Sequence, residues 1–171
     1  MAELAGRFQR IGLSATVGDP EAVGAFLTGG RDCPVIEVDI GDRLDIEVVR
    51  PQVTDDDERL SSELVTDAET ASHVRYIDDL ISRKESVLVF VNTRQTAEAL
   101  GSRFKELGTN LGVHHGSLSK DARIEVEDQF KAGELDALLC TSSMELGIDV
   151  GRVDHVVQYG SPRQVSRLVQ R

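Results

Sequence analysis

Residues 137–149 read Ala137-Leu138-Leu139-Cys140-Thr141-Ser142-Ser143-Met144-Glu145-Leu146-Gly147-Ile148-Asp149. An apolar run typical of a buried strand passes directly into three hydroxyl residues, and a Gly-x-Asp follows a few positions later. Open α/β sheets bind ligands at the carboxyl ends of such strands, and phosphates bind well to the amides at a helix start. The stretch therefore predicts a phosphate-contacting loop at one edge of a sheet.

The chain around this stretch alternates between strand and helix patterns. Thr93 and Ser119 are predicted to cap two of the helices, and Gly108 and Gly133 to end them. The continuous apolar character of the first strand is typical of a strand covered on both faces. The predicted strands are 87–91, 113–115, 136–140 and 153–159. This alternation predicts the fold class α/β, with a doubly wound, mostly parallel sheet and helices on both faces.

The amino-terminal third has a less regular pattern. Residues 10–17 predict a short strand, and Asp19 is expected to cap a helix that follows it. Residues 34–39 and 44–49 look extended.

An acidic segment comes next. Residues 54–62 include four consecutive acidic residues and predict a mobile loop with a solvated charge run. Thr66 and Glu69 then have the spacing of a capping box, which predicts the start of a helix.

Composition restricts the possible functions. Cys33 and Cys140 have no CxxC spacing, which argues against a zinc site and indicates a reducing compartment. No apolar run is long enough to cross a bilayer and no signal peptide is visible, so we expect a cytoplasmic protein without a membrane partner. The net charge of −11 disfavours indiscriminate nucleic-acid binding. Any nucleic-acid contact must then be local, through placed amides, hydroxyls and a few arginines.

Four strand-to-helix junctions carry short polar residues. They are Asn92-Thr93-Arg94, His115-Gly116-Ser117, Thr141-Ser142-Ser143 and Gly160-Ser161. In a parallel sheet all four emerge at one edge, where a row of neutral donors at helix starts suits a row of phosphates. A helix-cap role alone remains the alternative for Thr93 and for Ser119.

His114 and His115 do not predict a metal site. Neighbours on a strand point to opposite faces, so both cannot bind one ion without distortion. We expect one histidine to pack in the core and the other to reach the edge. Cys140 is predicted to be a small core residue. Asp149 is predicted to contact a ribose hydroxyl, with a capping or turn role as the alternative.

In their order along the chain, five stretches resemble the second half of a superfamily 2 helicase. Within that superfamily the sequence is most similar to the large helicase-related, or Lhr-type, family. The most specific stretches are 13–21 and 114–119, and the resemblance covers nearly the whole chain. The five stretches are Ser14-Ala15-Thr16, 89–94, 114–119, 141–149 and Gln170-Arg171.

The resemblance implies a role for each matching residue. Seven residues are expected to contact the tracking strand: Thr93 and Arg94 in motif IV, His115, Gly116 and Ser117 in the adjoining loop, and Thr141 and Ser142 in motif V. Six others concern the nucleotide: Ser14 and Thr16 in coupling motif III, Gly147 and Asp149 at the nucleotide-facing end of motif V, and Gln170 and Arg171 at the opening of motif VI.

The departures from the family pattern predict a fragment. The 171 residues contain no GxxxxGK[ST] loop to hold a triphosphate and no DExH-type acidic box to hold magnesium. We expect residues 1–40 to be the tail of the first RecA-like domain, with the motif III strand and helix and a linker. Residues 41–171 are then the second RecA-like helicase domain, truncated within motif VI. We expect the amino-terminal segment to pack on the second domain or to swap to a neighbouring copy.

The resemblance implies part of an ATP-dependent helicase acting on single-stranded or forked nucleic acid, with DNA the expected polymer. ATP and Mg²⁺ would be bound mainly by the missing first RecA-like domain, which is also an expected partner. We expect no tightly bound cofactor here, and no ATP hydrolysis by this chain alone. One alternative is a stand-alone, non-catalytic RecA-like nucleic-acid-binding module. A Rossmann-type metabolic enzyme is disfavoured because no GxGxxG follows a strand.

Overall fold

A computed structural model describes residues 9–14, 17–37, 45–141 and 153–170. Its elements in chain order are α1 Pro20–Thr28, α2 Asp55–Glu63, α3 Ala68–Ile81, β1 Val87–Phe90, α4 Arg94–Leu107, β2 Leu111–His114, α5 Lys120–Lys131, β3 Ala137–Cys140, β4 His155–Gln158 and α6 Val165–Gln170. They form two compact units. The larger unit is Glu47–Arg163, and the smaller one combines Gln164–Gln170 with the described residues before position 47.

In the smaller unit, the start of α1 is as predicted but the preceding strand is not. Asp19 caps α1 by accepting a hydrogen bond of 2.9 Å from the N–H of Ala22, and Gly29 ends the helix with a φ of 70°. The predicted strand at 10–17 is wrong for the part the structure describes, where no strand pairing forms. Leu13 is 96% exposed there, so no sheet covers its apolar side chain.

The larger unit contains a four-stranded, fully parallel sheet in the order β2-β3-β1-β4. Alternate side chains of each central strand point to opposite faces, and both faces are covered. Val87 and Val89 belong to a core formed with α3 and α4, whereas Leu88 and Phe90 pack in a second core with Phe130 of α5. The predicted α/β fold is therefore confirmed. Cys140 lies fully buried in the second core, as predicted.

The prediction of a mobile loop at residues 54–62 is wrong. This segment is not a loop, because α2 occupies Asp55–Glu63. Asp57 is fully buried and accepts hydrogen bonds from the Arg75 guanidinium at 2.6 and 3.1 Å, and from the N–H and hydroxyl of Thr54, each at 2.8 Å. The Arg75 guanidinium, helped by Thr54, outweighs burial and lowers the pKa of Asp57 to about 2. One member of the acidic run, Asp57, thus connects α2 to Arg75 of α3 and also bonds the residue that precedes α2.

The predicted capping box at Thr66 and Glu69 is also wrong. The N-cap of α3 is Asp67, whose carboxylate accepts the N–H of Thr70 at 2.7 Å. This backbone hydrogen bond from Thr70 is the main reason that the pKa of Asp67 is lowered. The N–H of Thr66 instead donates to the carbonyl of Ser61, and Val65 has a φ of 49°. The left-handed turn that ends α2 therefore moves the start of α3 by one residue.

Four further predicted helix boundaries, those of α4 and α5, agree with the structure. Thr93 and Ser119 are the N-caps of α4 and α5, and Gly108 is the left-handed C-cap of α4. Gly133 has a φ of 74° one residue after the C-cap of α5. None of the described helices combines the length and the apolar character that crossing a membrane would require.

Candidate nucleic-acid interface

The segments that follow the four parallel strands all begin at the same edge of the sheet. This edge, here called the carboxyl edge, is made of residues 91–94, 115–119, 141 and 159–162. The parallel ladder continues one step past each strand, because the N–H of Thr141 donates to the carbonyl of His114 at 3.2 Å. The N–H of Val91 donates to Cys140, and that of Tyr159 donates to Phe90, both at 2.9 Å. Since neighbouring strands lie about 4.8 Å apart, the four loop starts form a row of about 14 Å.

The first loop joins β1 to α4 and has two fixed points. Asn92 donates from Nδ2 to the carbonyl of Ser161 at 2.9 Å, which ties this loop to the loop after β4. The Thr93 hydroxyl accepts the N–H of Thr96 at 3.1 Å, so the cap role is real. Thr93 and Arg94 are both exposed. The cap role and the predicted strand contact are compatible, because a hydroxyl oxygen at a helix start also has a proton to donate.

The second loop joins β2 to α5 and is a tight turn. The N–H of Leu118 donates to the carbonyl of His115 at 3.1 Å, which leaves Gly116 and Ser117 as the central residues. Both central residues are exposed, whereas His115 is 3% exposed. The turn therefore presents backbone and a hydroxyl to solvent, with the histidine ring behind it.

The prediction that one histidine packs and the other reaches the edge needs correction. Both rings are buried, and each is paired with a carboxylate. His114 Nε2 lies 2.8 Å from Glu127 Oε1, and His115 Nε2 lies 2.5 Å from Glu98 Oε1. Strand alternation does send the two rings to different helices, as neighbouring residues require, but α5 and α4 each supply an acid that lets the ring be buried. His115 reaches the edge only through its backbone and its turn.

Thr141 occupies the central position of the row, directly after β3. It is 9% exposed, so only a small part of the residue is open to solvent. The strand next to it on one side carries the Gly116–Ser117 turn, and the strand on the other side carries Thr93 and Arg94. The structure thus brings together six of the seven residues predicted to contact nucleic acid.

The remaining predicted site residues fall into two groups. Ser14 lies in the smaller unit, is exposed and belongs to no helix or strand, and Gln170 is the last residue of α6. Five others lie outside the residues that the structure describes: Thr16, Ser142, Gly147, Asp149 and Arg171. The roles given to all of these residues stay predictions.

The charge of the carboxyl edge differs from that of the chain as a whole. The protein has 30 acidic residues and a net charge of −11, yet no Asp or Glu occurs among residues 91–94, 115–119, 141 and 159–162. The edge carries Arg94 and the positive ends of the α4 and α5 dipoles. Burial raises the pKa of Tyr159 at the same edge, which keeps its phenol neutral. Within these residues the edge therefore carries no negative side chain, in contrast to the chain as a whole.

Glu98 is a site residue that the sequence analysis missed. No sequence pattern singles it out, because its link to His115 depends on α4 packing against β2. A weak signal was present, since Glu98 lies four residues after Arg94 and so on the same side of the helix. Among the described residues, no group of three or more His, Cys, Asp or Glu side chains is arranged to hold a metal ion.

Comparison with known proteins gives the family. Residues 72–171 match the helicase conserved C-terminal domain. The ATP-dependent helicase Lhr-Core of Methanothermobacter thermautotrophicus is 40% identical over 184 aligned residues, which cover 100% of this chain and 20% of that protein. A solved structure of the Mycobacterium smegmatis helicase Lhr bound to ssDNA and AMP-PNP matches with a TM-score of 0.82 and 36% identity, over 95% of this chain and 22% of that one.

A more distant structure shows the same fold. Saccharomyces cerevisiae Dbp5 bound to RNA and ADP BeF3 matches with a TM-score of 0.54 and 26% identity, over 58% of this chain and 28% of that one. The chain spans about a fifth of the length of the curated relative it matches. It belongs to the Lhr-type superfamily 2 helicases and carries their helicase conserved C-terminal domain.

Proposed function

We propose that this chain is the second motor domain of an ATP-dependent helicase, and that its carboxyl edge binds the phosphates of a single nucleic-acid strand, with DNA the expected polymer. The M. smegmatis relative is described with ssDNA and AMP-PNP, and yeast Dbp5 with RNA and ADP BeF3. Both therefore combine a nucleic-acid strand with a nucleotide, which supports a strand-binding role for the same fold here. The chain would contribute one side of the ATP cleft as well as a strand-binding surface.

The observation that carries the proposal is the row of uncharged donors along the carboxyl edge. Thr93, the Gly116–Ser117 turn and Thr141 follow three adjacent strands, and none of residues 91–94, 115–119 and 141 is acidic. Phosphate contacts from hydroxyls, backbone amides and helix starts position a protein on a strand without reading its sequence. A motor that moves along nucleic acid needs contacts of this kind.

ATP and Mg²⁺ are proposed cofactors of the intact protein. Gly147 and Asp149 are the residues of this chain proposed to face the nucleotide, and a first RecA-like domain is proposed to hold most of it. When bound to the intact protein, ATP would supply free energy through hydrolysis, and the strand-contacting residues of this chain would change how tightly they hold the strand. The division at residue 40 and the role of Ser14, Thr16, Gln170 and Arg171 in coupling belong to the same proposal.

The proposal is tested by titrating labelled single-stranded DNA and RNA of the same sequence with the 171-residue chain at several salt concentrations. Thr141→Ala is expected to weaken binding at least about tenfold, the lower end of what a hydrogen bond to a charged group contributes, which is about 1.5–3 kcal/mol. Thr141→Ser keeps the hydroxyl and is the matched control, expected to bind within about twofold of the unmodified chain.

Salt dependence separates the two kinds of contact. Arg94→Gln removes one cation from the edge, so the slope of log K against log salt should fall by about 0.7. Thr141→Ala removes no charge and should leave that slope unchanged. Equal affinities of the unmodified chain and Thr141→Ala, or no measurable binding to either polymer, would refute the strand-binding role. Turnover of ATP by the chain alone would contradict the proposed division of labour with a first domain.

A further inference from the structure

The exposed Gly116–Ser117 turn of the carboxyl edge is stabilised by hydrogen bonds to the buried residue His115. His115 accepts the N–H of Leu118 at its backbone carbonyl, at 3.1 Å, and the N–H of Ser117 at its ring Nδ1, at 3.3 Å. The amide of the second central residue of a β-turn usually has no partner within the turn. Here the ring supplies that partner, so the orientation of Ser117 depends on the orientation and protonation of the His115 side chain.

Glu98 determines which nitrogen of that ring carries the proton. A neutral imidazole has one donor and one acceptor nitrogen, and Nδ1 acts as the acceptor for the Ser117 amide. The proton must then reside on Nε2, which lies 2.5 Å from Glu98 Oε1. A carboxylate can only accept, so it favours this tautomer over the other. Glu98, His115 and Ser117 thus form a chain of hydrogen bonds that ends on an exposed amide.

The same chain of contacts connects two loops that are not neighbours in the sheet. The Gly116–Ser117 turn follows β2 and the Thr93–Arg94 loop follows β1, and β3 lies between these strands. Helix α4 begins at Arg94 and packs on β2, so Glu98, one turn into the helix, reaches His115. Glu98 therefore links the start of α4, beside the Thr93–Arg94 loop, to the Gly116–Ser117 turn.

We infer that Glu98 is a positioning residue for strand binding, acting through His115 to orient the Gly116–Ser117 turn relative to Arg94. The inference rests on the proposed function, and it predicts the opposite change in strand affinity from the one that charge alone predicts. Glu98 is a half-exposed carboxylate beside a surface proposed to bind a polyanion. Charge alone predicts that removing it strengthens binding. The positioning role predicts that removing it weakens binding.

The experiment compares three variants of the chain in the same single-strand titration. Glu98→Ala is expected to weaken binding about three- to tenfold, the effect of losing one hydrogen bond of ordinary strength. Glu98→Gln keeps an acceptor for Nε2 and should restore affinity to within about twofold. Glu106→Ala removes the same charge from an exposed position on the same helix and should bind equally well or slightly more tightly.

A second measurement examines the turn without any nucleic acid. In nitrogen-15 spectra of the free chain, Glu98→Ala is expected to change the tautomer of His115 and to speed hydrogen exchange of the Ser117 amide, whereas Glu98→Gln and Glu106→Ala leave both unchanged. Glu98→Ala binding as well as Glu106→Ala, or an unchanged Ser117 amide and His115 tautomer in Glu98→Ala, would overturn the positioning role. Failure of the unmodified chain to bind any strand would instead overturn the proposed function, and its own titration identifies that case.

Discussion

The α2–α3 pair and the carboxyl edge each contain a buried ionisable side chain whose partner is far more exposed. Asp57 is fully buried beside an Arg75 side chain that is 42% exposed, and His115 is 3% exposed beside a Glu98 side chain that is 59% exposed. The pairs differ in what else the buried member holds. Asp57 accepts the N–H and hydroxyl of Thr54, which belong to the start of its own helix. His115 accepts the amide of an exposed turn.

This difference indicates that the Asp57–Arg75 pair stabilises the fold and that the His115–Glu98 pair orients the turn. Asp57 carries a charge that has left water, so losing Arg75 leaves an uncompensated buried carboxylate and the fold loses stability. His115 can be buried as a neutral ring, so losing Glu98 removes an orienting contact and leaves no buried charge behind. Changes at the first pair should therefore be measured in unfolding, and changes at the second pair in strand binding.

The largest expected effect comes from breaking the first pair. Arg75→Ala should lower the free energy of unfolding by about 3 kcal/mol, the lower end of the range for an unpaired buried charge, because Arg75 is partly solvated. Urea denaturation followed by circular dichroism at neutral pH measures it. The control is Arg83→Ala, which removes an exposed pair with Asp79 and should cost less than about 1 kcal/mol. Equal losses in the two variants would remove the distinction between buried and surface pairs.

The pH dependence of stability sharpens the same distinction. The folded-state pKa of Asp57 is about 2, below its ordinary 3.8. A depressed pKa contributes stability that is fully present above 3.8 and is lost as the pH falls toward 2. The difference in unfolding free energy between the unmodified chain and Asp57→Asn should therefore be constant down to about pH 5 and shrink below it. A difference that stays constant down to pH 2 would contradict this account of the pair.

A smaller effect is expected where α4 meets β2, the contact on which the second pair depends. A Cβ built on Gly101 would lie 2.5 Å from Cγ2 of Val113, a β-branched side chain with little rotational freedom. Gly101→Ala should therefore cost about 1–2 kcal/mol of stability, net of the better helix propensity of alanine. It should also weaken strand binding by moving Glu98 away from His115.

Two variants test the cause of that loss. Ser102→Ala, at an exposed neighbouring position of α4, changes helix propensity without touching β2 and should leave stability and binding nearly unchanged. Adding Val113→Ala to Gly101→Ala makes room for the new methyl group and should recover part of the strand affinity. If Gly101→Ala alone is as stable as Ser102→Ala, the close approach of helix and strand is not what sets the position of Glu98.

The two pairs also show how much the sequence could predict. The four strands of the sheet, their parallel direction and the row of loops followed from local patterns: apolar runs, glycine ends and caps such as Thr93 and Ser119. Helix α2 was missed because its acidic residues look solvated until Arg75, eighteen positions later, packs against Asp57. Glu98 was missed for the same reason, since its partner His115 lies seventeen positions away, directly after a strand. Both features depend on contacts between different secondary-structure elements, and residue spacing within one element does not predict such contacts.

The smallest effect expected concerns Thr93, which combines a structural and a proposed binding role at one residue. Thr93→Ala and Ser119→Ala each remove an N-cap hydrogen bond and should each cost about 1 kcal/mol of stability, measured by thermal or urea unfolding. Thr93→Ser keeps the cap and should be close to neutral. If Thr93 also contacts the strand, Thr93→Ala should weaken single-strand binding severalfold, and Thr93→Ser, which keeps the hydroxyl, should not. Equal binding by these two variants would leave Thr93 with its cap role alone and confine strand contact to the loops after β2 and β3.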